Sequence, residues 1–557
     1  MTEPTTSAPR SVARTTLVLA LGTGTSRALG LVRTVLLGAA IGITGSAAAD
    51  AFAVANKLPN VLFAVAAAGV LNAALVPQVV KSFHEGRERT VHRILTLGGF
   101  WLLVGTTILT AMAGLLVLLY SHEWGPDQMA LATAFALWCI PQVFFYGMYT
   151  LLGQVLNSRG QFGPFMWAPV ANNVVSIAGL AVYLALFGPF VVGSDQTTPL
   201  MQTWTPGRIA LLAGVATLGI AVQALVLIPP LVRGGYHWRW VWRGPRGELM
   251  TVAKVASWAL GAVLVEQVAV AITTQISSNA QVALPGDESV AGVMGYDYAL
   301  SIYLLPHSLV TVSLMTILFT QMARHASEGD IPGLRRVLTG GIRSVGSFTM
   351  LAAAALIVFA PHLARALAPT SSVDTVAAVA LVVQCLALGL VPLGASVLVK
   401  QAYFALEDGK GVFLIHIPMA ITWVGIGWAV WAFASPHWWV PGVALGLSAS
   451  NTIALALRWW GLRRRLGGMD MRRVALTHVK ALAAALGAAA VGYAAVWWGP
   501  ASNTRTGWGA VLTSVGVIAV GGLAMLLVYA LLARVFRLTE VNDLVRSFRR
   551  RLPGNVR

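Results

Sequence analysis

Residues 26–60 place four charged side chains inside a glycine-rich and otherwise apolar stretch. The stretch reads SRALGLVRTVLLGAAIGITGSAAADAFAVANKLPN and contains Arg27, Arg33, Asp50 and Lys57. An arginine at the centre of a bilayer costs about 2.5 to 3.5 kcal/mol on insertion scales. Because apolar residues extend beyond both arginines, we expect them to face a water-filled, protein-lined cavity or an anionic partner. Snorkelling of either arginine to a membrane interface is the alternative.

The cations in this stretch suit a phosphorylated ligand. Arginine binds phosphate oxygens in a bidentate manner, whereas lysine acts as a point charge. Arg27, Arg33 and Lys57 together would supply three positive charges to a lipid diphosphate. Six residues of α-helix place the two arginines about 120° apart. Gly30 lies between them and is a candidate hinge that would let both guanidinium groups reach one ligand.

Two carboxylates are candidates for controlling these cations. We expect Asp50 to pair with one of the basic residues between substrate occupancies; a structural ion pair and a helix cap are the alternatives. Glu266 is the only acid in the middle of a predicted helix of the second half, and a carboxylate inside a membrane is by default a cation or proton site. We therefore predict coupling to Na⁺ or H⁺ at Glu266, against simple pairing with Lys254, Lys400 or His416.

Composition sets the protein class. The 557 residues are 57% hydrophobic and only 10% charged, whereas a soluble protein carries roughly 25% charged residues. The sequence therefore predicts an all-α polytopic membrane protein, and its first apolar segment lacks the cleavage site of a signal peptide. The two cysteines, Cys139 and Cys385, fall in apolar segments and are predicted to be packing residues. No nucleotide-binding motif or metal-ligand spacing is visible in the sequence, so we expect a transporter that is not an enzyme and has no cofactor.

Runs of about 20 or more apolar residues predict fourteen transmembrane helices. They lie near residues 15–42, 60–80, 94–120, 129–155, 164–189, 207–232, 251–278, 293–320, 340–360, 375–405, 412–434, 440–460, 475–498 and 507–533.

The net charge of +18 follows this predicted topology. Most Lys and Arg fall in alternate gaps, including the segment from Arg458 to Arg473, while the opposite gaps contain only Arg208, Arg365 and Arg505. The positive-inside rule then places both termini in the cytoplasm. Nucleic-acid binding is not needed to explain the charge, and we expect the basic C-terminal tail to meet anionic lipids.

An internal repeat predicts the domain organisation. The segments IPQVFFYGMYTLLGQVLNSRGQF and VPLGASVLVKQAYFALEDGKGVF align at an offset of 251 residues, which pairs Pro141 with Pro392 and Gly160 with Gly411. A repeat of six helices gives two parallel lobes with a binding site between them. We expect a monomer with six parts: a cytoplasmic tail (1–14), a first lobe (15–232), a basic linker (233–250), a second lobe (251–465), two added helices (466–534) and a basic tail (535–557).

Several motifs carry a family resemblance. SRALGLVR, DAFAVANKLPN, ALVPQVV, LNSRGQF and ALEDGKG together resemble the MurJ/MviN family of lipid II flippases, within the multidrug/oligosaccharidyl-lipid/polysaccharide exporter superfamily. The resemblance implies a V-shaped molecule with a central cavity and a groove at the last two helices for a lipid tail. It also implies transfer of undecaprenyl-diphosphate-linked disaccharide-pentapeptide to the outer leaflet by alternating access, with cell-wall synthesis or division proteins as partners. The family's substrate-binding positions map to Ser26, Arg27, Arg33, Asp50 and Lys57.

The sequence also departs from the family pattern. Phe63 and Ala64 stand where many members carry arginine, and Ser301 and Leu304 precede Pro306 where an arginine and a glutamate are frequent. The predicted cavity therefore has fewer cations than in other members. The alternatives are an exporter of another polyprenyl-linked glycan, an exporter of amphipathic drugs, and a non-transporting scaffold of the cell-wall machinery. A cationic-drug exporter would need acids where this chain has arginines.

Overall fold

The computed structural model describes residues 10–67, 88–191, 193, 199–243, 253–499 and 506–540. Within these ranges the chain is helical and contains no β-strand. This agrees with the predicted membrane class, since a helix satisfies its own backbone hydrogen bonds in lipid. The chain divides into two compact units. Unit 1 comprises Met1–Gly42 with Ser46–Leu264, and unit 2 comprises Ile43–Gly45 with Val265–Arg557.

Unit 1 is built from ten described helices and the start of an eleventh. They are α1 (Arg10–Ile41), α2 (Ala47–Ala66), α3 (Glu88–Ala111), α4 (Ala113–Tyr120), α5 (Pro126–Cys139), α6 (Gln142–Ser158), α7 (Phe162–Phe187), α8 (Leu200–Thr203), α9 (Pro206–Leu225), α10 (Ile228–Arg233) and α11 (Ala253–Ala283), whose larger part belongs to unit 2.

Unit 2 continues with long helices, one of which is interrupted by a π-helical turn. They are α12 (Val293–Pro306), the π-turn (His307–Thr311), α13 (Val312–Ser327), α14 (Ile331–Leu367), α15 (Val373–Ala387), α16 (Leu390–Ala405), α17 (Gly409–Phe433), a 3₁₀ turn (Pro436–Trp438), α18 (Trp439–Arg465), α19 (Met471–Trp498) and α20 (Trp508–Val535).

Eleven helical segments in the described ranges are long and apolar enough to cross a membrane, and the pair α15–α16, bent by 46°, is a twelfth if it forms one span. The polytopic all-α fold is thus confirmed. The helices α1 and α2 are 32 and 20 residues long, yet they are not among these twelve. Both helices carry the charged stretch described above. The count of fourteen spans stays a prediction.

The second helix begins much earlier than the sequence predicted. The apolar run suggested residues 60–80, but α2 starts at Ala47, and residues 68–80 lie outside the described part of the chain. Ser46 caps this helix, because its hydroxyl accepts a hydrogen bond from the Ala49 N–H at 3.1 Å. The Asp50 carboxylate is therefore not the helix cap. As a result, Asp50 and Lys57 lie on α2 itself.

Small residues let the helices of unit 2 pack closely. Along α19, buried Ala481, Ala484 and Ala488 face the cluster that includes Met525 and Tyr529 of α20. Helices in a membrane gain little from the hydrophobic effect between them, so close van der Waals contact along small residues stabilises their packing. The last two helices therefore pack against each other in unit 2. The boundaries predicted for the parts of the chain, and the groove for a lipid tail, stay predictions.

The internal repeat is displaced from the predicted offset. In the first half, residues 159–161 separate α6 from α7, and in the second half residues 406–408 separate α16 from α17. These turns are 247 residues apart rather than 251, a difference of about one helical turn. Pro141 consequently precedes α6, whereas Pro392 lies inside the first turn of α16. The matched prolines therefore occupy different positions in their helices.

Two arginines from the predicted outer gaps are part of the fold. The Arg208 Nε–H donates to the Tyr183 hydroxyl at 2.6 Å, and the Arg208 guanidinium lies 4.3 Å from the Trp204 ring centroid. Arg365 is fully buried at the end of α14 and donates to the carbonyls of residues 368, 371 and 372. Both guanidinium groups are therefore held by neutral groups of the fold.

Candidate functional site

A polar cavity of about 280 Å³ lies among the helices of unit 1. We call it the amide cavity, because most of its polar lining is Asn and Gln. Its polar lining residues come from α1, α2, α6, α7 and α9: Arg33, Thr34, Asn56, Asn60, Gln142, Tyr146, Asn172, Ser176 and Gln223.

The amides of this cavity bond to one another across helices. The Asn172 side-chain N–H donates to the Gln223 carbonyl oxygen at 3.1 Å, and the Ser176 hydroxyl lies 3.3 Å from the Asn172 carbonyl oxygen. Gln142 donates to the Asn56 side chain at 3.4 Å. Such bonds fix the orientation of polar groups that would otherwise be costly inside an apolar bundle. The lining is therefore preorganised.

Arg33 is the charged group of the amide cavity. Among the described residues that line it, only Arg33 carries a charge, and its guanidinium has no hydrogen-bond partner in the described part of the chain. A guanidinium offers five N–H donors and no acceptor. An acceptor-rich anion would satisfy these donors and neutralise a charge that is expensive in a membrane.

The other predicted residues of α1 have different surroundings. Arg27 is half-buried and does not line the amide cavity. The Ser26 carbonyl accepts a hydrogen bond from the Asn173 side chain at 2.8 Å, and the Ser26 hydroxyl lies 3.3 Å from the same nitrogen. Ser26 thus joins α1 to α7. Gly30 lies within α1, which is continuous from Arg10 to Ile41, so its role as a hinge stays a prediction.

The predicted residues of α2 lie on the same helix as two lining amides. Asp50 is buried in the first turn, surrounded in sequence by alanines that are buried as well. Lys57 is half-buried and adjacent to the lining residue Asn56. The structure therefore brings Arg33 and the α2 amides together at one cavity. The substrate-binding roles of Lys57 and Asp50 stay predictions.

The amides themselves were missed from the sequence. A signal was available, because Gln142, Asn172 and Gln223 each stand inside a strongly apolar segment, where a buried amide needs a partner. Phe63, which stands where the family often has arginine, packs its ring 5.4 Å from that of Tyr146, a lining residue. An aromatic contact thus occupies this position beside the cavity.

Unit 2 contains a second polar cavity of about 190 Å³. We call it the basic cavity; its ionisable lining residues are Glu266 of α11, Tyr303 of α12, Lys400 of α16, His416 of α17 and Arg458 of α18. Lys400 and His416 are two of the three neighbours predicted for Glu266, and both line the cavity with it. The Lys254 side chain lies outside the described part of the structure.

Arg458 corrects the sequence prediction. It was assigned to a cytoplasmic gap with Arg463–Arg473, but it is only 3% exposed within α18 and lines the basic cavity. The helix continues through LALRWWGLRRR to Arg465, five residues beyond the predicted end at residue 460, so Arg458 lies well inside it. Within the described residues, no group of three or more His, Cys, Asp or Glu is arranged to hold a metal ion.

Comparisons with known proteins agree on one family. A sequence model of the family described as "Lipid II flippase MurJ" matches residues 39–534. A protein from Haemophilus influenzae named "Probable lipid II flippase MurJ" is 28% identical over 499 residues, which are 85% of this chain and 90% of that protein. A "Lipid II flippase MurJ" from Burkholderia cenocepacia is 27% identical over 462 residues, covering 79% and 81% of the two chains.

Solved structures share the fold. A structure titled "Lipid II flippase MurJ, inward closed conformation" has a TM-score of 0.68 at 16% identity and covers 93% of this chain and 99% of its own. An inward-facing multidrug resistance transporter of the MATE family, in the MOP superfamily, has a TM-score of 0.61 at 14% identity, with 79% and 94% coverage. Since the family model spans most of the sequence, this chain, a multi-pass membrane protein, belongs to the MurJ family of lipid II flippases.

Proposed function

We propose that this protein flips lipid II, the undecaprenyl-diphosphate-linked precursor of peptidoglycan, from the cytoplasmic to the outer leaflet of the inner membrane. The observation that carries the proposal is Arg33, a cation without a hydrogen-bond partner among the described residues, in a cavity lined by amides. The diphosphate accepts charge-assisted hydrogen bonds from the guanidinium. Amides both donate and accept hydrogen bonds, so they suit the polar groups next to the diphosphate. A cavity of about 280 Å³ would hold only this part of the headgroup.

The charge of the amide cavity separates this function from drug export. A transporter of cationic drugs would place carboxylates where its substrate binds, yet the charged residue that lines the amide cavity is an arginine. The scaffold alternative needs no ligand for this guanidinium. Family membership supports the transport function over both alternatives.

The decisive experiment is a leaflet-accessibility assay for lipid II in cells depleted of this protein. Depletion should trap lipid II in the inner leaflet, where an externally added hydrolase or probe cannot reach it, and re-expression should restore access within one induction period. Unchanged access after depletion, with the protein verified as absent, would contradict the function.

The driving force is a further part of this proposal. Glu266 shares the basic cavity with Lys400 and Arg458, whose positive charges oppose entry of Na⁺. Glu266 is therefore proposed to couple flipping to H⁺, because gain or loss of a proton changes its interaction with these two cations and shifts the balance between conformations.

Glu266→Gln should slow flipping by about tenfold or less and remove its dependence on a pH gradient, since glutamine is nearly isosteric but cannot ionise. The measurement is lipid II flipping in proteoliposomes with and without an imposed gradient. Glu328→Gln is the matched control, because Glu328 is an exposed carboxylate at the end of α13. If Glu266→Gln keeps both the wild-type rate and its gradient dependence, H⁺ coupling acts elsewhere.

The orientation in the membrane is also proposed from charge, with both termini cytoplasmic. A membrane-impermeant thiol reagent added outside should modify Asp287→Cys and leave Arg464→Cys unmodified. Asp287 lies between α11 and α12, and hydrogen bonds from the hydroxyl and backbone N–H of Ser289 lower the pKa of its carboxyl. Arg464 is exposed at the end of α18. The native cysteines are both buried, so background labelling should be low. The reverse labelling pattern would show that the orientation, and with it the direction of transport, is opposite to the one proposed.

A further inference from the structure

The basic cavity of unit 2 contains buried donors that the fold leaves unused. Tyr303 is 1% exposed and Arg458 3% exposed, and both side chains line the cavity. The Tyr303 hydroxyl and the Arg458 Nε–H have no hydrogen-bond partner among the described residues. Lys400 likewise has no hydrogen bond or ion pair to any described residue. Buried polar groups are nearly always satisfied, so these donors indicate a ligand with acceptor atoms.

The rest of the Arg458 guanidinium is fixed in place. Its Nη1 donates to the Ser396 carbonyl at 3.3 Å and to the Ser396 hydroxyl, while Nη2 approaches the Met419 sulfur at 3.5 Å. These contacts hold the side chain against α16 and α17 and leave Nε as the unsatisfied atom. The acceptors around Nη1 and Nη2 are neutral. They satisfy hydrogen bonds of the guanidinium but do not neutralise its positive charge.

The charge of the cavity is positive. Lys400 and Arg458 oppose one carboxylate, Glu266, and neither forms an ion pair with it in the described structure. His416 adds no fixed negative charge, and its Nδ1 donates to the Val412 carbonyl at 2.7 Å. Water alone would satisfy the donors but would leave the excess charge uncompensated inside the membrane, which is costly.

We infer that the basic cavity of unit 2 binds a small oxyanion, held by Lys400, Arg458 and the Tyr303 hydroxyl. The cavity volume of about 190 Å³ equals that of about six water molecules, which suits an inorganic oxyanion or a small carboxylate and excludes a lipid headgroup with its sugar. The inference does not depend on which lipid the amide cavity of unit 1 carries.

Glu266 makes this site sensitive to protons. The ionised carboxylate competes with the oxyanion for the same two cations, so protonation of Glu266 should strengthen anion binding. The other ionisable groups that line the cavity with Glu266 are Tyr303, Lys400, His416 and Arg458. Protonation of His416 would act in the same direction, because it adds a positive charge. A Glu266 variant is therefore needed to separate the two residues.

The test is equilibrium dialysis of radiolabelled inorganic sulfate against the purified full-length protein in detergent, between about pH 4 and about pH 8, which spans the ordinary titration range of carboxyl and imidazole groups. Sulfate is chosen because its charge is constant over this range. We expect about one sulfate per chain, with affinity that falls as pH rises. Excess unlabelled phosphate or acetate should compete, and their relative potency distinguishes a phosphate-like ligand from a carboxylate.

Lys400→Gln should weaken sulfate binding at least about tenfold, the loss of one charge-assisted hydrogen bond of about 1.5 to 3 kcal/mol. Lys480→Gln is the matched control, since Lys480 is exposed on α19 away from the cavity. Arg458→Gln serves as a second variant if it elutes as a folded species. Glu266→Gln should bind sulfate at neutral pH more tightly than the wild type does at the same pH.

Two results would overturn the inference. Equal sulfate binding by the wild type and Lys400→Gln, or no saturable binding by either, would mean that the cavity is not an oxyanion site. A wild-type pH dependence in Glu266→Gln would mean that Glu266 does not compete with the anion. Both readouts are independent of lipid II flipping, so their failure and the failure of the proposed function are distinguishable.

Discussion

Arg33→Ala should abolish growth on this protein as the sole flippase and reduce lipid II flipping in proteoliposomes at least about tenfold. The guanidinium is the charged group of the amide cavity and has no hydrogen-bond partner in the described structure. Each charge-assisted bond that it makes to a diphosphate contributes about 1.5 to 3 kcal/mol. Loss of two such bonds exceeds a hundredfold in affinity.

Arg33→Lys should retain part of the activity, because lysine keeps the charge but loses the bidentate geometry. Lys480→Ala removes an exposed cation from α19 and should leave both growth and flipping unchanged. Membrane abundance must be equal for all three variants. Normal growth of Arg33→Ala at native expression would show that the diphosphate binds elsewhere, and Arg27→Ala would then be the next variant to examine.

Gly219→Ala should impair flipping about tenfold or more through the shape of the amide cavity. A Cβ at Gly219 would lie 2.3 Å from the Asn172 carbonyl oxygen and 2.9 Å from the Ser176 hydroxyl. Both atoms belong to the amide network, so the Asn172 side chain must move, which disturbs its bond to Gln223. Overpacking of this kind costs about 1 to 3 kcal/mol, and the thermal midpoint of the purified protein should fall as well.

Gly214→Ala provides a control on the same helix. A Cβ at Gly214 would make an ordinary contact of 3.4 Å with the Trp138 ring. Alanine in a helix interior is favoured over glycine by about 0.5 to 1 kcal/mol, so Gly214→Ala should preserve or slightly raise stability and leave flipping intact. Equal flipping by Gly219→Ala and Gly214→Ala would indicate that the amide network does not contribute to transport.

The helical architecture could be predicted from the sequence because long apolar runs are a strong signal in a membrane protein. The exception is the start of α2. Asp50, Asn56, Lys57 and Asn60 break the apolar pattern so strongly that α2 was predicted to begin where its polar part ends. Two of these side chains, Asn56 and Asn60, line the amide cavity, so the apolar pattern failed where the cavity requires polar residues.

The candidate sites were predictable only in part. A charge inside an apolar helix is conspicuous, and Arg33, Lys400 and Glu266 were found in this way. Arg458 was missed because it precedes a run of cytoplasmic-type arginines, and only the tertiary structure separates one buried guanidinium from its exposed neighbours. The amide network was missed for a related reason, since its partners lie up to 86 residues apart in the chain.

Arg208 and Arg365 have a consequence for membrane insertion during synthesis. On the predicted outer side, each guanidinium must cross the bilayer against the positive-inside preference. The partners of Arg208, Tyr183 and Trp204, precede it in the chain and are already in place when it emerges. The carbonyls that receive Arg365 follow it by three to seven residues. Arg208 can therefore be hydrogen-bonded as it arrives, whereas Arg365 is hydrogen-bonded only after the next turn of chain has followed it across.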